Sequence, residues 1–413
     1  MRAPLVKTGL DQWLQRRPTL VGHRSCGEDD GITMLNFQVS EEQGALIEMA
    51  ARFTRERIIP VAAECDRESR FPRDVFVAGW ELGLVNPTVP EEFGGAGLGE
   101  VENSLIAEQL AYGCTGIQTS MLANTLALTP ILLAGSTAQK KRYLGLLTSS
   151  PEFASYATTE PSGGSDVAGM QTRFERVGDD YVINGEKCWI TNASLASFFV
   201  VFATNDPATR HKGIAAFIVD RDTPGLRVGK HEDKMGQRAS DTAAVHFEDV
   251  VVKKENMLAP AGEGFKLAME TFNQTRPDIG AMATGLMQRC LDESVAYARE
   301  RKSFGQPIIE HQMIQAILAD MAISTEATRL LYQKAAWNLD HGVRNPIVSS
   351  YAKAFGADRA MQSAVDAVQV FGGNGYVKDY PVEKLMRDAK VLQIYEGTSQ
   401  IQRVVIARSL GRA

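Results

Sequence analysis

No stretch of the 413-residue chain approaches the roughly 18 consecutive apolar residues of a membrane-spanning helix, so no membrane span is expected. A basic block is missing too. The 44 Lys and Arg stand against 50 Asp and Glu, for a formal net charge of −6, and no cluster of basic residues lies beyond residue 30. Nucleic acid needs clustered Lys and Arg to neutralise its phosphates and is excluded as a main partner. Cysteine is sparse: Cys26, Cys65, Cys114, Cys188 and Cys290 are odd in number, widely spaced and without a C-x-x-C pair. With no H-E-x-x-H among the six histidines, neither a disulfide framework nor a metal site is expected. That usage fits a reducing compartment. Neither a strand–G-x-G-x-x-G–helix unit nor G-x-x-x-x-G-K-[ST] occurs, so any nucleotide cofactor must be held another way. What is present, 44% hydrophobic and 23% charged residues, is ordinary for a folded chain of roughly two to three domains.

The leader, residues 1–36, differs from the rest. Arg2, Lys7, Arg16, Arg17 and Arg24 precede the acidic run Glu28-Asp29-Asp30, with only Asp11 among them. Leu5, Leu10, Trp13 and Leu14 can share one face of a short helix. There is no apolar secretory core. An Arg-rich, acid-poor, weakly amphipathic start resembles a mitochondrial transit segment; an untargeted terminus is the alternative.

From 37 to 150 the pattern is helical. Ser40 with Gln43 reads as a helix cap, and Leu46, Met49, Ala50 and Phe53 follow at helical spacing. Across 151–262 the period changes. Short runs rich in β-branched and aromatic residues at 152–158, 181–190, 197–204, 213–220 and 242–252 are separated by Asn184-Gly185 and Pro224-Gly225, the pattern of a compact antiparallel domain. Helices return over 263–413, at about 264–300, 308–340, 346–370, 381–390 and 399–410. Strands do not alternate with helices, so a doubly wound fold is disfavoured.

Five segments can carry chemistry. Glu396 sits between an apolar run and Gly397 at a helix start, where burial would raise its pKa toward that of a general base. The plain alternative is an exposed carboxylate in a first helical turn. Tyr156 to Asp166 leads a strand into a hydroxyl- and glycine-rich loop that either binds phosphate or is a simple turn. Trp189 and Thr191 share a face at a strand end, unless Trp189 is core. Arg301 closes a basic helix end, as an anion clamp or as a solvated terminus. Gln369 to Gly375 is a ligand loop or a glycine helix stop.

Together and in this order, these segments resemble the acyl-CoA dehydrogenase family. The resemblance runs from about Phe37 to Leu410. Its most specific parts are Trp189-Ile190-Thr191-Asn192, the run Tyr380-Pro381-Val382-Glu383-Lys384, and Glu396-Gly397-Thr398-Ser399-Gln400-Ile401-Gln402-Arg403. Glu108 to Thr119 is most similar to the medium-chain branch. The resemblance implies an α+β fold: an N-terminal α-helical domain, a middle β-barrel-like domain and a C-terminal four-helix-type bundle, assembled as homotetramers.

It further implies FAD between the β domain and the bundle. Tyr156, Thr159 and Ser165 would meet the flavin, Ser165 also lying near the CoA ligand, and Trp189 and Thr191 would pack on and hydrogen-bond the isoalloxazine. Arg301, Ser303, His311, Gln312, Gln369, Gly372 and Gly373 would reach a neighbouring subunit's FAD, with Thr398 and Gln400 completing the nucleotide site. Asn273, Thr275, Arg276, Gly397 and Arg408 align with substrate-side positions.

The implied reaction is α,β-dehydrogenation of a fatty acyl-CoA in β-oxidation, Glu396 taking the pro-R α-proton and hydride passing to flavin N5. Electrons would then pass to an electron-transferring flavoprotein in the mitochondrial matrix. Some branches carry the base just before the Arg of the 271–277 helix; here that residue is Thr275, which leaves Glu396 alone. Departures from the pattern are Ser162 in the glycine loop, Asn273, Asp278, Leu122 and Ala123. They keep short- or branched-chain substrates open, beside a catalytically silent assembly relative or an oxidase.

Overall fold

The computed structural model describes residues 38–343 and 345–411, so the expected leader lies outside the described residues. Ser40 caps the first helix through a box with Gln43, as its sequence requires. The N-terminal helices are α1 (Glu41–Phe53), α2 (Ile59–Glu68), α3 (Arg73–Glu81), α4 (Glu100–Gly113), α5 (Thr115–Ala134) and α6 (Thr137–Ser149). A π turn over Thr54–Ile58 joins the first two. By length and composition α5 could cross a membrane, but 67% of its apolar window is buried inside the fold, as in a core helix.

Eight strands follow: β1 (Phe153–Ala157), β2 (Arg173–Val177), β3 (Asp180–Thr191), β4 (Ala196–Thr204), β5 (Ile214–Asp220), β6 (Leu226–His231), β7 (Thr242–Val252) and β8 (Met257–Ala259). They form one sheet in the order β6-β7-β3-β2-β4-β5-β8, with β1 added to β4. Two expectations fail here. The sheet is mixed, because β1 and β2 both run parallel to β4. It is also not a barrel, since β6 and β8 end it without pairing to each other.

The ladder between β2 and β4 is a single residue pair, Arg173 with Thr204. Each free edge is protected in its own way. The Nε2 of Gln139, on α6, donates to the carbonyls of Glu255 and Met257 beside β8. On β6, Arg227 and Lys230 put charge on the rim.

Strand β4 is apolar except for Ser197 and Thr204 because both its faces are covered. Phe198, Val200 and Phe202 enter a core shared with α5 and α6, while Phe199, Val201 and Ala203 enter one closed by β3 and β7.

The C-terminal helices are α7 (Gly264–Glu300), α8 (Gln312–Asp340), α9 (Pro346–Phe371), α10 (Val382–Leu392) and α11 (Ser399–Leu410). Between α7 and α8, a small hairpin pairs β9 (Lys302–Ser303) with β10 (Gln306–Pro307). Helix α7 is the central strut, packing on α4, α8 and α9. Asp340 at the end of α8 accepts from the amides of Glu100 and Val101, and so ties the N-terminal helices to the bundle.

Candidate active site

Glu396 stands in the turn between α10 and α11, with φ of 56° at Glu396 and 83° at Gly397. The left-handed region is costly for a non-glycine residue and marks a position held by its surroundings. Gly397 is required here, since a Cβ would also come within 2.7 Å of Gln402 Nε2. The turn is gripped through its carbonyls. Gln402 Nε2 donates to Glu396 O at 3.0 Å and to Gly397 O at 3.1 Å, and Lys353 Nζ donates to Gly397 O at 2.6 Å.

The carboxyl itself faces α7. Thr275 Oγ1 lies 3.0 Å from Glu396 Oε2 and 3.2 Å from Thr271 O. The hydroxyl has one hydrogen, so it donates to an ionised Glu396 or, when Glu396 is protonated, accepts from it and turns to Thr271. Arg276, on the same turn of α7, is anchored by Asn273 Oδ1 at 2.8 Å. Burial pushes the Glu396 carboxyl up to about 7, against the pull of Arg276, Thr275 and Lys353 and with a further push from Asp278. A carboxylate poised there suits proton abstraction at neutral pH. The exposed-cap alternative for Glu396 is therefore not what the structure holds.

Across the seam, Tyr156 on β1 meets Phe272 of α7 edge-on at 5.6 Å. Its hydroxyl and the Thr158 hydroxyl are buried without partners. Trp189 is 61% exposed at φ 60°, beyond the protection that an aromatic core position would give it. Asn192, also left-handed, anchors this strand end by donating to Ser120 O. Two orphaned hydroxyls on β1 and its following residue, with an uncovered indole on β3, fit a flat, hydrogen-bonding ring. Thr159 is part-buried and Ser165 exposed on the adjoining loop.

Glu396, Gly397, Thr275, Arg276 and Asn273 are thus brought into one cluster, and Tyr156 lies close enough to feel the Glu396 charge; Trp189 and Thr191 end β3, which meets β1 where Ser155 Oγ donates to Thr191 O. The other expected residues lie elsewhere. Thr398 uses its hydroxyl to cap α11, accepting from Ile401 N, and Gln400 and Arg408 are exposed on that helix. Arg301 and Ser303 sit at the far end of α7, where His311 Nε2 is 3.2 Å from Ser303 O and Gln312 begins α8. Gln369, Gly372 and Gly373 lie at that same end, where Phe371 stacks on Tyr297. Arg301 is 26 residues along α7 from Thr275, about 39 Å at the helical rise. The expected residues of one chain therefore fall into two groups far apart along α7.

Sequence reading passed over Lys353, Gln402 and the network in which Thr119 Oγ1 donates to Gln237 Oε1 and Gln237 Nε2 to the Tyr395 hydroxyl. For Lys353 the signal was a lone cation amid Ala, Phe and Gly residues. Gln402 and Thr119 lay within segments that carry the resemblance but were given no role there.

Comparison with known proteins agrees along the whole described chain. Residues 40–150, 155–250 and 262–411 match, in turn, the N-terminal, middle and C-terminal domains of acyl-CoA dehydrogenase. The chain belongs to the acyl-CoA dehydrogenase family. It is an FAD-dependent enzyme of that family. Among its relatives is the Caenorhabditis briggsae protein named "Probable medium-chain specific acyl-CoA dehydrogenase 2, mitochondrial", 48% identical over 91% of this chain and 92% of that one. The cyclohexane-1-carbonyl-CoA dehydrogenase of Geobacter metallireducens is 42% identical over 91% and 98%. The solved butyryl-CoA dehydrogenase of Megasphaera elsdenii superposes with a TM-score of 0.89 at 36% identity, covering 91% of this chain and all of that one.

Proposed function

We propose that this acyl-CoA dehydrogenase oxidises medium-chain fatty acyl-CoA thioesters to trans-2-enoyl-CoA, with Glu396 as the base. The observation that carries the assignment is the half-buried Glu396 carboxyl, pushed up to about 7 by desolvation and steadied by Thr275. Thr275 holds the carboxylate before the reaction and the carboxylic acid after it. The Glu396 amide, presented by the left-handed turn, is placed to donate to the thioester carbonyl and stabilise the enolate that forms as the α-proton leaves. Arg276 and the bundle wall exclude water from the slot and orient the acyl chain. FAD supplies the acceptor for the β-hydrogen, which leaves as hydride. Tyr156, Thr158, Trp189 and Thr191 would hold its ring, with Thr159 and Ser165 on the loop side.

The distant set Arg301, Ser303, His311, Gln312, Gln369, Gly372 and Gly373 would serve the FAD of a neighbouring protomer in a homotetramer. Gln400 and Thr398 would complete the nucleotide contacts, and Arg408 would act on the substrate side. An electron-transferring flavoprotein is the natural acceptor for such an enzyme. The Arg-rich leader and the C. briggsae relative favour the mitochondrial matrix.

Medium chain length rests on the 48% identity to the relative carrying that name. Anaerobic titration with octanoyl-, butyryl- and palmitoyl-CoA tests the reading: bleaching of bound flavin, strongest with octanoyl-CoA, is expected. A flavin that stays oxidised with all three would overturn it.

A further inference from the structure

Lys353 is fully buried on α9, between Ala352 and Ala354 and near Gly356 and Ala357. Its ammonium has three N–H groups. It makes one hydrogen bond, to Gly397 O, and among the described residues no carboxylate lies within ion-pair distance of it. A buried cation so thinly compensated is expensive, and helix packing alone would be met better by an apolar side chain. The cost has a local beneficiary. The single carbonyl that Lys353 engages belongs to the residue after Glu396, inside the left-handed turn that presents the base. Gln402 grips the same carbonyl and the one before it, so the peptide is clamped from α9 and α11 together.

We infer that Lys353 is a positioning residue for the dehydrogenation, locking the Glu396–Gly397 turn through Gly397 O while its positive charge keeps the base ionised. The inference rests on the reading of Glu396 as base. Other charged groups facing Glu396 are Arg276, which acts in the same direction as Lys353, and Asp278, which opposes them; Tyr156 and Tyr395 feel its charge. Around Lys353 the neighbouring charges are Glu396, Arg276 and Asp358. Burial lowers the ammonium to about 8 while Glu396 resists that fall, so the two groups support each other's charged forms.

The test is the pH profile of anaerobic flavin reduction by octanoyl-CoA, normalised to bound FAD, in wild type, Lys353→Met, Lys353→Gln and Glu396→Gln. Removing the charge should move the acid limb up by about one pH unit in both lysine variants. Lys353→Gln keeps a donor for Gly397 O and should recover most of the rate at alkaline pH, whereas Lys353→Met should stay at least about tenfold slow there. If Lys353→Met does not fold, the limb of Lys353→Gln decides. An acid limb coincident with that of wild type overturns the inference. Those failures are separable from failure of the base assignment, which alone predicts that Glu396→Gln still reduces the flavin.

Discussion

At the residue scale, the proposed base is a carboxyl that burial pushes up to about 7. Only the ionised form can accept a proton, so kcat/KM for acyl-CoA should fall about tenfold per pH unit below about 7 and level off above it. Glu396→Gln should keep FAD and lose about 10²–10⁴-fold in turnover, measured by single-turnover flavin reduction. Gly397→Ala forces a Cβ into a left-handed residue and against Gln402, so a loss of about 1–3 kcal/mol of stability and a fall in kcat larger than any rise in KM are expected. The Glu396–Gly397 pair stood out in sequence as a carboxylate before glycine at a helix start, but that pattern left an exposed cap open and only the family resemblance gave it a role. Lys353 was not, because helical periodicity places α9 without saying which face meets the base. Nor does a sequence show that Asn273 spends its side chain on Arg276 rather than on a ligand.

At the element scale, the helices of the bundle were read to within a few residues, because long segments with sharp stops such as Gly372 leave strong patterns. The five apolar strands were legible for the same reason. Strands β2, β6 and β8 were missed: with Arg173, Glu175 and Arg176 in the first, and Arg227 and Lys230 in the second, those two are too charged to read as apolar runs, and β8 is only three residues long. The expectation of a closed, antiparallel domain failed with them, since sheet closure depends on pairings that strand composition does not encode. Gln139 is the element-level safeguard, because it completes the capping box of α6 and saturates two carbonyls beside β8. Gln139→Ala should lower stability by about 1–3 kcal/mol, read from the urea midpoint, and increase association through the uncovered β8 edge.

At the scale of the whole molecule, one buried polar cluster joins the N-terminal helices to the bundle. Asn103 Nδ2 donates to both Asp278 oxygens at 3.0 and 2.9 Å, Ser104 adds another bond, and Glu100 stands beside them under the cap from Asp340. Burial raises Asp278 from 3.8 to about 6, and burial together with Asp278 raises Glu100 well above its ordinary value. Between those two pH values the folded chain holds more protons than the unfolded one, so this cluster's contribution is full below about 4 and is lost as pH rises through about 6. Asp278→Asn should flatten that part of the thermal-stability profile relative to wild type, in scans at matched FAD saturation.

The length of α7 carries a consequence for genetics. With the Glu396 cluster near one end and the Arg301 hairpin about 39 Å away, a chain damaged at one end would, in the proposed homotetramer, still offer an intact other end to its neighbour. Two inactive alleles, Glu396→Gln and Arg301→Ala, should therefore complement each other when co-expressed, since mixed assemblies rebuild some sites from two good halves. Two alleles broken at the same end should not.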